Sequence, residues 1–564
     1  MRNNGRYELC REQFNEIVKF YHECGFNDKQ CKKLSERCFG IDVKVAKDVP
    51  YRYNWCFNPV FEHRFSGPVK KAAFGRFFNS VSAPMCRSAM SRSLGCSMDM
   101  QAEGCCAVEE PAFNTSETHV VSEHEETGPI DSPQCIFSAN VNSASWSYVR
   151  DKINRNQRID KHFVRIEEII NSYSYDLEAP KGDDLFSINI ESGKCPWKPD
   201  SELLFLGLKG KKADINTRHN LALLVDVSGS MEGNWILVQM SLAAIISKLK
   251  KGDTISIISY SDKTVTVAKQ IDCGDTDKCV DAICNIIGCD GCTHGSEGLE
   301  NAYDYLKEHF DKDGNNRVFI FTDGDFNFGI TGEGDLQDFI YKKRETGIYL
   351  SIVGYGFNNF KDNTMETLAY NGNGNYSAIM CLDDIRESLG AKLFSNLVTV
   401  AKDVKISIEF NPKYVSSYRL IGYDWRALTQ KEFNDTSKAV DGIGSEHNVI
   451  ALIELKRGEA EQKYAARYVA PNKIDSDEFA YIEIHYKSPD DNDLVMTRVV
   501  TLEDIEGKSA DNLKVASALA AFGLLVRDSD YKGDLTGDLL LDMLENAGNM
   551  SGHSDVIKRY IKTL

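Results

Sequence analysis

The sequence lacks any run of apolar residues that approaches the length of about 18 needed to cross a membrane. It also lacks an apolar export signal near the N-terminus, and no cysteine follows an apolar run as a lipid-attachment site would require. The 17 cysteines are an odd number, which in a chain without an export signal indicates reduced thiols. We therefore expect a cytoplasmic protein without a membrane span.

The sequence also lacks an overall positive charge. The formal net charge is −18 over 564 residues, although the first 100 residues contain 17 Lys and Arg against 10 Asp and Glu. An acidic main body argues against a nucleic-acid groove. The chain also has no Walker-type phosphate loop and no clustered general base, so we expect a protein that is not an enzyme.

A carboxylate and two hydroxyls occur one residue apart directly after an apolar run. Residues 221–225 are typical of a buried parallel strand, and Asp226, Ser228 and Ser230 follow it. In the turn after the strand, all three side chains can point at one spot above the sheet edge. Hard oxygen ligands of this kind suit Mg²⁺ or Mn²⁺.

The Asp-x-Ser-x-Ser spacing resembles the metal-ion-dependent adhesion site of von Willebrand factor type A (VWA) domains. This resemblance implies a threonine in a later loop and an aspartate after another buried strand. Thr293 lies in a polar loop before a helical pattern, and Asp323 follows the apolar run 317–321. The alternative is that these residues cap helices, which Ser, Thr and Asp often do. Capping explains the residue types but not the order of three separate pieces.

The resemblance implies the site and its ligand. Asp226, Ser228, Ser230, Thr293 and Asp323 would hold a divalent cation, Mg²⁺ or Mn²⁺, with an open coordination position. An Asp or Glu side chain of a protein partner would fill that position, and the metal would supply the charge that offsets the acidic surroundings. The chain would then be a non-enzymatic protein-interaction module.

Two other classes of function stay open. A metal-dependent phosphoesterase would use the cation for hydrolysis, but Ser228 stands where an aspartyl-phosphate phosphatase needs a second carboxylate. Alternatively, the protein is a scaffold with a structural metal site, and its flanks bind the partner.

Several side chains beside the proposed ligands are secondary candidates. Cys289 and Cys292 form a C-x-x-C pair that could be redox-active or half of a zinc site, or else small buried residues. His294 is interpreted as a loop residue. Asp325 and Asn327 could tune the site from its surroundings.

Strand and helix patterns alternate between residues 220 and 400, which predicts a doubly wound, mostly parallel α/β sheet. The flanks show strand patterns without intervening helices, which predicts one β-sandwich with the VWA domain inserted in it. The predicted organisation is a partly helical, unassigned N-terminal region at 1–80, a linker at 81–130, the first part of the sandwich at 131–219, the VWA domain at 220–400, the rest of the sandwich at 401–507 and a helical segment at 508–564.

The flanks carry a narrower resemblance, to the YfbK-like family of bacterial VWA proteins, over about residues 113–564. In that family, Asp occupies the positions of Asn140 and Asn142. The segments that carry the resemblance are 137–150 (FSANVNSASWSYVR), 164–168 (VRIEE), 195–197 (CPW) and 416–423 (SSYRLIGY).

Overall fold

The computed structural model describes most of the chain beyond residue 122. The described residues are 6–38, 41–46, 123–139, 142–212, 217–288, 295–324, 333–356, 362–393, 397–436, 440–460, 476–506, 511–548, 550 and 552–564. None of the helices in these ranges combines the length and the apolar character that crossing a bilayer requires. Of the predicted linker at 81–130, only residues 123–130 are among the described residues. In this part, Thr127 forms a β-bridge with Tyr418.

Two helices and three short strands form an N-terminal module. They are β1 (Arg6–Cys10), α1 (Arg11–Glu23), α2 (Asp28–Glu36), β2 (Arg37–Cys38) and β3 (Ile41–Ala46). Strand β3 lies between the other two, parallel to β1 and antiparallel to β2. Both helices begin at capping boxes, in which Cys10 pairs with Gln13 and Asn27 with Gln30. The sequence indicates these helices, whereas the strands are too short for their alternation to be recognised.

The segment before the VWA domain contains two helices among its strands, contrary to the prediction of strands alone. Its elements are β4 (Gln134–Ser138), α3 (Ala144–Asn154), α4 (Ile166–Ile170), β5 (Phe186–Lys194) and β6 (Glu202–Gly210). Nine of the eleven residues of α3 are buried, including Arg150 and Asp151. A helix buried on nearly all sides has no apolar stripe, so the period that marks a surface helix is missing.

The VWA domain alternates strands and helices as predicted. Its elements are β7 (His219–Asp226), α5 (Trp235–Lys248), β8 (Thr254–Tyr260), β9 (Thr264–Asp272), α6 (Thr276–Cys284), α7 (Gly295–Glu308), β10 (Asn315–Thr322), α8 (Glu333–Arg344), β11 (Ile348–Tyr355), α9 (Asp362–Asn371), β12 (Tyr376–Ile379) and α10 (Leu382–Asp384), which continues as a π-helix at Ile385–Ala391. The turn after α8 contains Gly347 with φ of +80°, as expected for a helix stop.

The six strands of this domain form one sheet in the order β12-β11-β10-β7-β8-β9. All neighbours are parallel except the edge strand β9, which is antiparallel to β8 and was not predicted. Counted along the domain, this is the doubly wound order 3-2-1-4-5-6. The order in which successive strands are added to the sheet reverses between the parallel neighbours β7 and β10. Ligands of such sheets bind at this switch point, outside the carboxyl ends of the strands.

The strands after the VWA domain pair with those before it. The later elements are β13 (Thr399–Phe410), β14 (Val415–Ile421), α11 (Gln430–Asn434), β15 (Ile443–Gly444), β16 (Asn448–Arg457), β17 (Glu478–Lys487) and β18 (Asp493–Thr501). One antiparallel sheet has the order β15-β13-β17-β18 with β4 also on β13, and the other is β14-β16-β6-β5. Both contribute to one apolar core, in which Phe137 and Ile406 of the first pack with Leu206 and Ile453 of the second.

The last elements are helices, namely α12 (Leu502–Ile505), α13 (Asp511–Arg527), α14 (Gly537–Asn546) and α15 (His553–Ile561). The last three lie within residues 508–564, the predicted helical segment, whereas α12 precedes it and its Ile505 packs in the core of the two antiparallel sheets. Helices α13, α14 and α15 form a second core with α3 and α4, where the rings of Trp146 and Phe522 lie 6.2 Å apart.

Ion pairs join the VWA domain to the segments that flank it. Asp384, which is 1% exposed, pairs with Arg150 of α3 and accepts hydrogen bonds from the backbone N–H groups of Met380 at 2.9 Å and Cys381 at 2.8 Å. Glu366 of α9 likewise pairs with Arg165 and with Arg426. Each of these carboxylates of the VWA domain therefore has an arginine from outside the domain.

Candidate metal centre

The candidate site lies at the switch point of the parallel sheet. Asp226 is the last residue of β7, and Asp323 directly follows the last residue of β10. These strands are paired, with Val225 opposite Phe321, so the two carboxylates project from adjacent strand ends. Ser228 and Ser230 follow in the turn that leads into α5. The sheet thus brings four of the five predicted ligands to one edge.

The Asp226 carboxylate is held from two sides. Its side chain belongs to a residue that is only 1% exposed. One carboxylate oxygen, Oδ1, accepts the backbone N–H of Ser228 at 2.9 Å, and the other, Oδ2, accepts the hydroxyl of Thr322 at 3.3 Å. In the described part of the chain, no lysine or arginine forms an ion pair with this carboxylate. It is therefore a buried acid with neutral hydrogen-bond donors and no counter-charge from the residues that the structure describes.

The two serines present their hydroxyls together. Their Oγ atoms lie 3.0 Å apart, with Ser228 buried and Ser230 exposed. The turn that carries them is anchored at both ends, because the Val227 N–H donates to the Tyr260 carbonyl at 3.0 Å and Met231 is fully buried. One hydroxyl thus faces the carboxylate side of the turn and the other faces solvent, as a cation site open to a ligand would need.

The electrostatics of the site favour a cation. The pKa of Asp226 is raised from its usual 3.8 to about 6, chiefly by burial and to a smaller extent by the neighbouring Asp323. The hydrogen bonds from Ser228 and the proximity of the Tyr260 hydroxyl act in the opposite direction without cancelling the effect. Burial also raises the pKa of the Tyr260 hydroxyl well above 10, so that group stays protonated. A positive charge at this edge would stabilise the ionised form of Asp226.

The described donors fit a hard divalent cation. All are oxygens, from two carboxylates and two hydroxyls, and Asp323 is half-buried at the open edge. In the described ranges, no group of three or more His, Cys, Asp or Glu side chains could hold a metal ion. The serine hydroxyls would therefore have to take part in binding.

Several sequence candidates cannot be placed against this geometry. Thr293, the remaining predicted ligand, lies outside the described residues. The same holds for the other side chains singled out beside the site, Cys289, Cys292, His294, Asp325 and Asn327.

Two side chains beside the site were missed by the sequence analysis. The register of β7 and β8 pairs Asp226 with Tyr260, and Thr322 ends the strand on the opposite side. Both residues are buried and both hydroxyls lie beside the Asp226 carboxylate. Neighbouring strands bring them together from positions that are far apart in the chain, so only a known strand order could have indicated them.

Comparisons with known proteins agree with this sheet and its edge. Residues 220–388 match the family model described as von Willebrand factor type A domain, and residues 112–205 match one described as von Willebrand factor. Residues 395–559 match the model for the C-terminal part of the uncharacterized protein YfbK. The fold, the switch-point cluster and these matches define a protein with a VWA domain.

A relative that is similar over about 70% of both chains narrows this class. The uncharacterized protein YfbK of Escherichia coli (strain K12) is 32% identical over 415 residues, which are 71% of this chain and 72% of that protein. The chain belongs to the YfbK family of VWA-domain proteins.

Solved structures give weaker similarity. The ArnB paralog VWA2 from Sulfolobus acidocaldarius aligns with 67% of this chain and 98% of its own, at 13% identity and a TM-score of 0.32. Proximal thread matrix protein 1 of the mussel byssus, with a zinc-occupied MIDAS motif, aligns with 31% of this chain and 45% of its own, at 19% identity and a TM-score of 0.27.

Proposed function

We propose that this protein is a non-enzymatic interaction module that binds an Asp or Glu side chain of a protein partner through a divalent cation. One observation carries the proposal: Asp226 is a buried carboxylate at the switch point, beside Asp323 and two serine hydroxyls, and no lysine or arginine in the described part of the chain pairs with it. Its counter-charge must therefore come from outside the described protein groups.

Each residue has a defined part in this proposal. Asp226 and Asp323 supply negative charge, Ser228 and Ser230 supply neutral oxygens, and Thr293 completes the set. The cation, Mg²⁺ or Mn²⁺, supplies a Lewis-acidic position that a partner carboxylate can fill. Two protein carboxylates leave such an ion with little net charge, so a third carboxylate from the partner binds a site that is not strongly repulsive. The oxygen donors suit Mg²⁺ or Mn²⁺ better than a metal that prefers nitrogen or sulfur.

We also infer that the VWA domain is an insertion in a β-sandwich made by residues 131–219 and 401–507. Strands from both segments share the two antiparallel sheets and one core. The entry and exit of the inserted domain lie at one end of its sheet. Asn315 is the register partner of His219 near the entry, and its side chain donates to the Leu397 carbonyl at the exit at 2.8 Å. Inserted domains are tolerated where their ends are close together.

The proposal is tested by capturing partners on the full chain in Mg²⁺ and in EDTA. We expect partner binding that EDTA abolishes and that Asp226→Asn and Asp323→Asn also abolish. Asp313→Asn is the matched control, because it removes one exposed carboxylate from the turn before β10, at the end of that strand opposite Asp323. Full binding by Asp226→Asn in EDTA would overturn the adhesion mechanism.

The two rival functions predict different results for the full chain and its variants. A scaffold that binds through its sandwich or its N-terminal region would keep its partner in EDTA. Deletion of residues 1–130 would abolish that binding if the N-terminal region carries it. A phosphoesterase would hydrolyse generic phosphoesters in Mg²⁺, and that turnover would disappear in Asp226→Asn.

A further inference from the structure

A single hydroxyl joins the two strand ends of the candidate metal centre. Thr322, the last residue of β10, is fully buried, and its Oγ1 donates to Asp226 Oδ2 at 3.3 Å. The same oxygen accepts the backbone N–H of Gly324 at 3.2 Å. Gly324 has φ of +88°, a left-handed conformation that glycine adopts without strain, so the chain turns sharply just after Asp323.

Through its two hydrogen bonds, Thr322 connects the Asp226 carboxylate to the turn that carries Asp323. One bond fixes the carboxylate at the end of β7, and the other fixes the turn that carries the second carboxylate. Because the two acids repel each other at close range, they would otherwise rotate apart in the absence of a cation. The hydroxyl opposes that rotation without adding charge of its own.

Tyr260 lies on the opposite side of the same carboxylate. It ends β8, is fully buried and is the register partner of Asp226. Its hydroxyl lies beside both the Asp226 carboxylate and the Thr322 hydroxyl. The carboxylate thus stands between one hydroxyl from each neighbouring strand.

We infer that Thr322 is a positioning residue of the metal centre, with Tyr260 as its counterpart, and that its hydroxyl holds Asp226 in the orientation in which a cation can bind. This inference rests on the proposed function. Groups that orient metal ligands through hydrogen bonds typically contribute about 10- to 100-fold to metal affinity. Thr322 would act in this way without touching the ion.

The test is calorimetric titration of Mg²⁺ into the full chain and its variants. Thr322→Val keeps the shape of the side chain and removes the hydroxyl, so we expect affinity to fall by about 10- to 100-fold. Thr322→Ser keeps the hydroxyl and removes the methyl group, so affinity should stay within a few-fold of the parent. A role in packing alone would give the reverse order.

A matched control is available in the same sheet. Thr254, the first residue of β8, donates its hydroxyl to the Asn220 side chain at 3.1 Å, at the opposite end of the sheet. Thr254→Val removes a comparable hydrogen bond and should leave Mg²⁺ affinity unchanged. If Thr322→Val does not fold, Tyr260→Phe takes its place. Its control is Tyr303→Phe, which also removes a fully buried hydroxyl within this domain.

The outcomes separate this inference from the proposed function. If the unmodified chain binds neither Mg²⁺ nor Mn²⁺, the metal site itself fails. If the unmodified chain binds Mg²⁺ and Thr322→Val or its substitute Tyr260→Phe binds it equally well, only the positioning role is overturned. Equal losses in Thr322→Val and Thr322→Ser would also overturn it, because retaining the hydroxyl would then have no effect.

Discussion

Replacing Asp226 with asparagine should stabilise the metal-free protein while abolishing its cation binding. In the folded chain the pKa of this carboxyl is raised from 3.8 to about 6, chiefly by burial. The folded state therefore binds more protons than the unfolded state between these values, and stability falls as the pH rises through them. Above pH 6 the penalty of ionising Asp226 is fully present, and below pH 3.8 it is absent.

The size of the effect follows from the pKa difference. Each pKa unit corresponds to about 1.4 kcal/mol, so the penalty in the metal-free protein is at most about 3 kcal/mol at pH 7.5. Asparagine removes the penalty and keeps the shape. Its Oδ1 can still accept the Ser228 N–H, and its Nδ2 can donate to the Thr322 hydroxyl oxygen, reversing that bond.

The assay is unfolding of the parent chain and Asp226→Asn in EDTA and in Mg²⁺. In EDTA at pH 7.5 the variant should be the more stable, and the difference should disappear near pH 4. In Mg²⁺ at 100 times its dissociation constant, the parent gains about 2.7 kcal/mol and the variant gains nothing. The variant's advantage should therefore almost vanish. A variant that is less stable than the parent in EDTA at pH 7.5, or that gains the same stability from Mg²⁺, would refute this reasoning.

Three further predictions concern the rest of the chain. Arg150→Met should destabilise the protein by about 3–5 kcal/mol, seen in urea unfolding, because Asp384 then becomes an uncompensated buried charge; adding Asp384→Asn should restore part of the loss. Residues 215–400 expressed alone should fold with a lower melting temperature than the same domain in the whole chain, and Asp384→Asn should raise it, whereas an insoluble, molten fragment would contradict the proposed insertion. Cys289→Ser combined with Cys292→Ser should leave Mg²⁺ affinity within a few-fold, and a large loss on mild oxidation that the double variant abolishes would indicate a redox switch instead.

The parallel sheet and the site could be predicted because their signals are local. Strands β7 and β10 are continuous apolar runs, as expected for strands buried on both faces, and each is followed directly by an acidic residue. The resemblance to VWA domains, carried by the order of these pieces along the chain, implied which strand ends should meet. Strand β9 was missed although it lies in the same sheet, because an exposed edge strand carries few apolar residues.

What could not be predicted depends on contacts between distant residues. Helix α3 was missed because it is buried on most sides, and its charged residues suggest a surface segment until their partners are known. Arg150 meets Asp384 across 234 positions, and Thr322 meets Asp226 across 96. No local period encodes such pairs, so the supports of the site became visible only in the folded chain.

Three carboxylates of the VWA domain differ in their counter-charges. Asp384 pairs with Arg150, and the partly buried Glu366 pairs with Arg165 and Arg426, all from the flanks. Asp226 is as buried as Asp384 and has only neutral donors among the described residues. A buried acid normally either finds a cation in the protein or shifts its pKa. Asp384 and Glu366 have arginines as counter-charges and so link the domain to its flanks. Asp226 has a raised pKa instead, and no positive charge among the described residues pairs with it. Its environment is thus costly to the metal-free protein and favourable to an incoming cation, as the proposed function requires.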